Sequence, residues 1–310
     1  MDPFLDKAFT GGSTVLPLIT EIPKICVQGL GQKEVQDLKK EKFDLIILNL
    51  FFMDYCFLSF VHYFKIPFVY AHAGALTNPY YDTIGSFNVP AISGNVYVMP
   101  EFPLTFKSKT EDHCFEHFVL CSQQSYIRTT RKTLEWPPKP GMPNVIHAGG
   151  AHIKAPRKLA QDLEDWVEGS GEEGFIFFSL GSALNPDFFP EEYRQILVKV
   201  FGSLKQKVLW KWNKETMPDL PKNVKLQKWL PQTDLLGHPK LKLFITHGGQ
   251  LSTLEALYNG VPVIGIPIFS DQHTNMKIIE SEGWGRAMEL KKLDEHSFRI
   301  LVQETLNNKT

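Results

Sequence analysis

The stretch at residues 244–256, FITHGGQLSTLEA, is the most informative part of the sequence for the fold class. An apolar run ends in Thr246 and His247, two glycines follow, and the next residues are typical of a helix. A buried strand that passes through a glycine turn into a helix is the unit from which parallel α/β sheets are built. In open sheets of this kind ligands bind outside the carboxyl ends of the strands, so we expect His247 to lie at a binding edge.

The same alternation of strand and helix continues through the second half of the chain. Alternating strands and helices indicate a parallel sheet that is covered on both faces, which places the chain in the α/β class. The predicted strands are FIFFSLGS, KVLWKW, VKLQKW, KLFITHGG and VPVIGIP, and the predicted helices are PEEYRQILVKVFGSL, QTDLL, STLEALYNG and DQHTNMKIIESEG.

The first half is less regular. A polar helix is predicted around 32–41, and FDLIILNL, DYCFLSFVHYF and KIPFVYAHAG then predict a strand–helix–strand unit that is complete by about residue 71. Residues 74–110 form a long, aromatic-rich loop region, and loops of that length are usually functional or disordered. A helix over 110–133 and a short strand at 143–150 follow. Residues 151–174 are predicted to form a linker and then a helix, LAQDLEDWVEGSGEEG, and we place a domain boundary there.

Composition limits the possible partners and compartments. The chain has 310 residues, 43% of them hydrophobic, and 33 basic residues against 34 acidic ones, which fits two domains and gives no basic field for nucleic acid. The most hydrophobic window, 43–64, carries Asp44, Asn49, Asp54 and His62, so it does not predict a membrane span. The N-terminus lacks the pattern of a secretory signal, and we expect a soluble chain.

The four cysteines, Cys26, Cys56, Cys114 and Cys121, form no CxxC pair, which argues against a zinc site. A single disulfide such as Cys114–Cys121 is one alternative. Unpaired thiols in or near the core are the favoured interpretation.

Polar groups follow four of the predicted strands. Ser252 and Thr253 fall in the first turn of the helix after His247, where free backbone N–H groups collect and bind anions such as phosphate. Glu255 lies on the same face as Ser252 and could accept hydrogen bonds from the vicinal hydroxyls of a sugar. The alternative is that the glycines only make a turn and that Glu255 is a solvated helix residue.

The other strand ends are of the same kind. Gly181 and Ser182 end one strand, and Trp229 follows another, where an exposed indole could stack on a flat base. Asp271 and Gln272 begin the last predicted helix. Alternatively, Trp229 is a core residue and Asp271 an N-cap. Together the four strand ends suit the parts of a nucleoside diphosphate sugar.

One apparent motif is rejected. GSGEEG at 169–174 matches G-x-G-x-x-G, but it precedes a strand and carries two glutamates where a pyrophosphate would bind. The sequence therefore lacks the correctly placed fingerprint that a different nucleotide enzyme, such as a dehydrogenase, would carry.

The run WLPQTDLLGHPKLKLFITHGGQLSTLEALYNGVPVIGIPIFSDQ at 229–272 closely resembles the signature of the UDP-glycosyltransferases, the family of glucuronosyl- and glucosyltransferases, in its animal and especially insect form. FSLGS at 178–182 and KVLWKW at 207–212 are similar to the family upstream, and weaker similarity reaches back to about residue 40. The resemblance implies a GT-B fold of two facing Rossmann-like domains. It makes 1–155 an incomplete acceptor-binding domain, and 156–310 a domain that binds the UDP-sugar and lacks its final helices and membrane anchor.

The resemblance also implies roles for individual residues. Trp229 is expected to stack on uracil, Gln232 to contact the base or ribose, and Glu255 to bind the ribose hydroxyls. The diphosphate would be held by Ser182, His247 and Ser252 beside the turn at Gly249. Asp271 and Gln272 would bind the sugar hydroxyls.

Two departures from the family pattern stand out. Leu251 occupies a position where many members carry asparagine, and no segment before residue 40 matches the strand with the catalytic histidine. The aspartate that orients that histidine would fall near Asn49 or Asp54, and we prefer Asp54 as the catalytic candidate because it is the only carboxylate in that loop. A helix N-cap is the alternative role for Asp54.

The implied reaction is inverting transfer of a hexosyl group, glucose or glucuronate, from a UDP-sugar to a hydroxyl of a small lipophilic acceptor that binds the loops at 74–110. It needs no metal and no cofactor beyond the UDP-sugar co-substrate. The alternative is an inactive, truncated family member that binds UDP-sugar or pairs with full-length partners, and homo- or hetero-oligomers with family members are expected partners. The resemblance implies the endoplasmic reticulum membrane, although the sequence shows neither a signal peptide nor an anchor.

Overall fold

The computed structural model describes residues 24–49, 54–71, 150–182, 189–268 and 271–308. The chain divides into two compact units, one of residues 11–149 and one of residues 150–310 together with 1–10. The predicted loop at 74–110, the predicted helix at 110–133, most of the predicted strand at 143–150, and Cys114 and Cys121 lie outside the described residues.

The described part of the first unit is a strand–helix–strand motif. Strand β1 (Ile46–Asn49) pairs in parallel with β2 (Phe68–Ala71), in the register Ile46 to Phe68 through Asn49 to Ala71. The connection contains a 3-10 turn (Asp54–Phe57) and a helix (Leu58–Phe64). The predicted unit is therefore confirmed, and the described residues of the apolar window 43–64 contain a strand and, after it, a helix. Among the described residues no helix combines the length and the apolar character that crossing a bilayer requires.

Helical segments precede β1. Residues 24–31 are helical, and a short helix (Lys33–Asp37) that continues into a 3-10 turn (Leu38–Lys40) matches the predicted polar helix. Cys26 in the first segment forms a disulfide with Cys56 in the turn after β1, with a Cα–Cα distance of 5.7 Å. The favoured prediction of unpaired thiols is wrong for this pair, because sequence spacing does not show which cysteines the fold brings together.

The second unit is a six-stranded parallel sheet with helices on both faces. In chain order its strands are β3 (Phe175–Ser179), β4 (Lys207–Lys211), β5 (Val224–Gln227), β6 (Leu241–Thr246), β7 (Val263–Gly265) and β8 (Gly285–Ala287). In the first unit, Lys33–Asp37 is α1 and Leu58–Phe64 is α2. The helices of the second unit are α3 (Gln161–Glu168), α4 (Glu191–Gly202), α5 (Gln232–Leu236), α6 (Gln250–Tyr258), α7 (Gln272–Ser281) and α8 (Glu295–Asn307).

The strand order is β5-β4-β3-β6-β7-β8, and every pairing is parallel. The chain starts in the middle of the sheet, proceeds to one edge, and returns to the middle to build the other half. This is the doubly wound order of dinucleotide-binding folds, and its topological switch lies between β3 and β6. The α/β prediction is confirmed, and the rule for such sheets directs attention to the carboxyl ends of β3 and β6.

Both faces of this sheet are buried, as the continuous apolar strands predict. All five residues of β3 are buried. Ile176 and Phe178 pack on one face with residues of α4 and α8, whereas Phe175 and Phe177 pack on the other with residues of α3, α5, α6 and α7. The buried sheet gives the strand ends a rigid base.

Candidate functional site

The switch point of the sheet is built around His247. Gly181 follows β3 with a φ of +83°, and Gly249 is the N-cap of α6. A Cβ built on Gly181 would lie 2.8 Å from Cε1 of His247, and one built on Gly249 would lie 2.5 Å from its Nε2. A side chain at either glycine would displace the ring, so the two glycines allow the imidazole to lie against backbone from both strand ends.

Burial, and to a lesser extent the positive charge of Lys211, lower the pKa of His247 from 6.5 to about 4. The ring is therefore neutral at pH 7. Oγ1 of Thr246 lies 3.3 Å from Nδ1. In the tautomer with the ring proton on Nε2, the Thr246 hydroxyl donates to Nδ1, and Nε2–H is left as a donor. His247 can offer an anion a hydrogen bond but not a charge.

A cation and an exposed aromatic ring lie at the next two strand ends. Nζ of Lys211, the last residue of β4, donates to the carbonyl oxygen of Gly181 at 3.0 Å and lies 4.8 Å from the ring centroid of Trp229. Trp229, which follows β5, is 76% exposed, which excludes the alternative of a core tryptophan. Burial lowers the pKa of Lys211. The ends of β5, β4, β3 and β6 are thus joined by contacts that run from Trp229 through Lys211 and Gly181 to His247.

Glu255 on α6 is only 7% exposed, so it is not the solvated helix residue of the alternative interpretation. Its Oε2 accepts from Nε2 of Gln232 at 2.6 Å, and its Oε1 accepts from the hydroxyl of Thr233 at 2.6 Å. Nε2 of Gln232 also donates to Oγ of Ser252 at 3.0 Å. Three residues predicted to bind one ligand therefore form a single hydrogen-bond network between α5 and α6.

The start of α6 lies beside His247. The first hydrogen bond inside the helix runs from the N–H of Thr253 to the carbonyl oxygen of Gly249 at 3.1 Å. The N–H groups of Leu251 and Ser252 lie in the first helical turn and have no acceptor within the helix, at the end where the helix dipole is positive. Leu251 is half-exposed in this turn, and its carbonyl oxygen lies 3.1 Å from Nε2 of His152. This helix start has the donors of an anion site.

Asp271 and Gln272 lie at the start of α7, after β7. Asp271 is the N-cap residue by position, but its side chain makes no capping hydrogen bond. Its Oδ2 accepts from Nδ2 of Asn275 at 2.7 Å, and the same nitrogen donates to the carbonyl oxygen of Gly248 at 3.0 Å. Oε1 of Gln272 accepts from the N–H of Ile268 at 2.8 Å. Asn275 therefore ties Asp271 to the glycine turn after β6.

Sequence reasoning identified the ends of the strands but missed three residues that organise them, Lys211, Thr233 and Asn275. Lys211 is the last residue of β4, within the predicted strand KVLWKW, and a basic residue at the carboxyl end of a strand is a signal that could have identified it as a site residue. Of the remaining predicted residues, Ser182 is exposed after β3. The backbone of Asp54 begins the 3-10 turn after β1, but its side chain lies outside the described residues, so its catalytic role stays a prediction.

The described residues also include one cluster that resembles a metal site, formed by Glu164, Glu168 and His238. Nδ1 of His238 accepts from the N–H of Lys240 at 3.2 Å, so the ring proton of the neutral imidazole is on Nε2, the nitrogen that faces the two carboxylates. Nζ of Lys240 pairs with Glu168 at 2.7 Å. Lys240 thus already pairs with one carboxylate, and the nitrogen of His238 that faces the carboxylates carries the ring proton, so the three side chains are not arranged as metal ligands.

Comparison with known proteins identifies the family. A family model described as UDP-glucoronosyl and UDP-glucosyl transferase matches residues 119–310, more than half of the chain. The chain belongs to the UDP-glycosyltransferase family. UDP-glycosyltransferase UGT5 of Dactylopius coccus is 33% identical over 297 residues, which cover 86% of this chain and 56% of that protein. UDP-glucuronosyltransferase 2B15 of Homo sapiens is 29% identical over 315 residues, which cover 92% of this chain and 59% of that protein.

This glycosyltransferase-family chain therefore spans little more than half the length of these relatives. Among solved structures, a UDP-glucosyltransferase from Polygonum tinctorium, described as capable of glucosylating indoxyl, is similar with a TM-score of 0.58 at 17% sequence identity. The similarity covers 94% of this chain and 73% of that one. It shows the GT-B type of α/β fold that the sequence predicts.

Proposed function

We propose that this chain binds a UDP-sugar across the carboxyl ends of β5, β4, β3 and β6 and takes part in transferring its hexosyl group, glucose or glucuronate, to a hydroxyl of a small lipophilic acceptor. The observation that supports this most directly is the row of contacts from Trp229 through Lys211 and Gly181 to His247. It joins an exposed indole to an anion-binding helix start at the switch point of the sheet, and those are the two groups that a nucleoside diphosphate needs.

Each part of the donor has a corresponding group. Uracil would stack on Trp229, and the ribose hydroxyls would donate to Glu255 within the network of Gln232. The diphosphate would accept from the N–H groups at the start of α6, from His247, and from the hydroxyls of Ser182 and Ser252. Asp271 and Gln272 would contact the hexose. No site residue in this assignment needs a metal or a cofactor.

The chemical step follows from where charge develops. The acceptor oxygen attacks C1 of the sugar as its proton is taken by a base, the bond from C1 to the diphosphate oxygen breaks, and the configuration at C1 inverts. Negative charge builds on the departing UDP, next to the start of α6 and the Nε2–H donor of His247. Fixed donors at that position lower the energy of the transition state more than that of the bound substrate. Asp54 is the proposed partner of the base.

Further observations support the proposed acceptor class and compartment. The Polygonum tinctorium relative is described as glucosylating indoxyl, a small aromatic acceptor. The aromatic residues of segment 74–110 fit the same class. The Cys26–Cys56 disulfide suits an oxidising compartment such as the lumen of the endoplasmic reticulum, which we propose as the location.

Equilibrium binding of UDP is the first test. We expect calorimetry to detect UDP binding by the full chain, and the double variant His247→Ala, Glu255→Ala to weaken it about 100-fold, since two lost polar contacts cost about 3 kcal/mol together. The matched control is His296→Ala, Glu304→Ala, at two exposed positions on α8. Absence of UDP binding by the wild type, or equal affinity in both double variants, would contradict the proposal.

A panel of phenols with UDP-glucose and UDP-glucuronate tests the transfer step separately. Turnover that gives a product of inverted anomeric configuration by NMR is the expected result. Tight UDP binding without turnover of any phenol would contradict the transfer step, and it is the result that an inactive family member gives.

A further inference from the structure

We propose that Thr233 is a positioning residue of the donor site: its hydroxyl fixes the carboxylate of Glu255 so that both ribose hydroxyls can donate to it. Thr233 thereby sets the preference of the site for ribonucleotides over nucleotides without those hydroxyls. This inference rests on the proposed function and gives a role to Thr233, which the proposed contacts with the UDP-sugar do not include.

Two donors from α5 set the geometry of the Glu255 carboxylate. Both oxygens of Glu255 are held by donors from two consecutive residues, Gln232 to Oε2 and Thr233 to Oε1, each at 2.6 Å. Since the donors come from α5 and the carboxylate from α6, the two bonds fix the position of the carboxylate in a direction that α6 alone does not fix. A single donor would leave the group free to rotate about its last bond.

The Glu255 carboxylate can accept more hydrogen bonds than Gln232 and Thr233 donate to it. An ionised carboxylate offers about four lone-pair sites. With one donor on each oxygen, each oxygen keeps a lone pair for one further donor. A vicinal diol has two hydroxyls at a separation that suits the two oxygens of one carboxylate. The arrangement is therefore ready for a ribose and does not have to change to receive it.

Thr233 differs from Gln232 in how it would affect the nucleotide. The amide of Gln232 is shared between Glu255 and Ser252, and Gln232 is itself proposed to contact the nucleotide. The hydroxyl of Thr233 donates to Glu255, and its effect on the ligand runs through that carboxylate. Substitution of Thr233 by valine keeps the side-chain shape and removes only this donor.

The experiment measures dissociation constants of UDP and 2′,3′-dideoxy-UDP for the full chain and its variants by calorimetry. We expect Thr233→Val to weaken UDP binding about 10-fold, because roughly one hydrogen bond to a charged group is lost. The same variant should change the affinity for 2′,3′-dideoxy-UDP by less than about 2-fold, because that nucleotide has no hydroxyl for Glu255 to accept from. Thr233→Ser, which keeps the hydroxyl, should restore UDP binding.

The matched control is Thr305→Val on α8, where the hydroxyl donates to the carbonyl oxygen of Leu301. It should leave both nucleotides unaffected. A purely structural role of Thr233 predicts equal weakening of UDP and 2′,3′-dideoxy-UDP, and that result, or unchanged UDP affinity in Thr233→Val, overturns the inference. Failure of the wild type to bind UDP would instead contradict the proposed function, so the two failures are distinguishable.

Discussion

At the scale of single residues, His247 shows how burial determines the chemistry of the site. Its ring lies against the backbone of Gly181 and Gly249, and burial together with Lys211 lowers its pKa to about 4. A neutral imidazole donates one hydrogen bond to a diphosphate without the cost of burying a cation. The positive character of the site then comes from the start of α6 and from Lys211.

The lowered pKa of His247 predicts a specific loss of stability in acid. Between pH 6.5 and pH 4 the unfolded chain binds a proton at this residue and the folded chain does not, so the free energy of unfolding falls as the pH falls through that window. From pH 7 to pH 4.5 we expect the wild type to lose about 2 kcal/mol more than His247→Gln. Urea unfolding followed by tryptophan fluorescence measures it, because Trp166, Trp210, Trp212, Trp229 and Trp284, five of the six tryptophans, lie in residues 150–310.

The control for this measurement is His296→Gln, at an exposed position of the same unit. It should follow the wild-type pH dependence. If His247→Gln and the wild type lose the same unfolding free energy between pH 7 and pH 4.5, the pKa of His247 is not lowered in the folded chain and the prediction is wrong.

Some residues of the site could be predicted from the sequence, and others could not, for a physical reason. His247, Ser252 and Glu255 are marked by the order strand, glycine turn, helix, which is local and visible in the sequence. Thr233 and Asn275 act through side-chain hydrogen bonds to residues that are distant in sequence or on other elements. No periodicity encodes such contacts, so only the fold shows them.

At the scale of elements, the ends of β4 and β5 form one unit through Lys211 and Trp229. The ammonium lies over one face of the indole, and the second face is the one on which a base can stack. A cation–π contact of this kind contributes about 1 kcal/mol when partly buried. Lys211 thus contacts both the ring on which we propose that the base stacks and, through the carbonyl of Gly181, the turn at the proposed diphosphate site.

A double-mutant cycle tests this coupling. We expect Lys211→Met to weaken UDP binding about 10-fold in the wild-type background. In the Trp229→Leu background we expect less than about 3-fold weakening, because the coupled partner of Lys211 is then gone. Calorimetric titration of UDP into the four proteins gives the coupling. Lys222→Met, at an exposed position before β5 and away from the carboxyl edge, is the matched control for loss of one charge. Equal weakening in both backgrounds would show that Lys211 acts on the nucleotide independently of Trp229.

Most elements of the second unit follow from apolar period and length, but the last strand and helix were not predicted. Strand β8 reads Gly285-Arg286-Ala287 and has no apolar run, so its place comes from pairing with β7 and not from its own sequence. Helix α8 does carry a local signal, because the side chain of Asp294 accepts from the N–H of Ser297 at 2.9 Å as an N-cap. That hydrogen bond lowers the pKa of Asp294.

At the scale of the whole molecule, the two units differ in how they are held together. The unit of residues 150–310 has a sheet buried on both faces, and all the described side chains of the proposed donor site belong to it. In the unit of residues 11–149 the buried described core around β1 and β2 is small, with Leu48 and Tyr70 at its centre. The Cys26–Cys56 disulfide supplements that core by linking the helical segment before β1 to the turn after it.

The disulfide therefore predicts a stability change confined to one unit. It closes a loop with a sequence separation of 30 residues. Since a cross-link of that length removes loop-closure entropy from the unfolded chain, Cys26→Ala, Cys56→Ala should lower the unfolding free energy of unit 11–149 by about 3 kcal/mol. Circular dichroism should show an earlier first transition in urea, whereas the tryptophan transition of unit 150–310 and the affinity for UDP should stay unchanged. Dithiothreitol should reproduce the shift in the wild type and leave the double variant unaffected. An equal shift of the tryptophan transition would mean that the two units unfold as one, and the assignment of the disulfide to the stability of a separate unit would then be wrong.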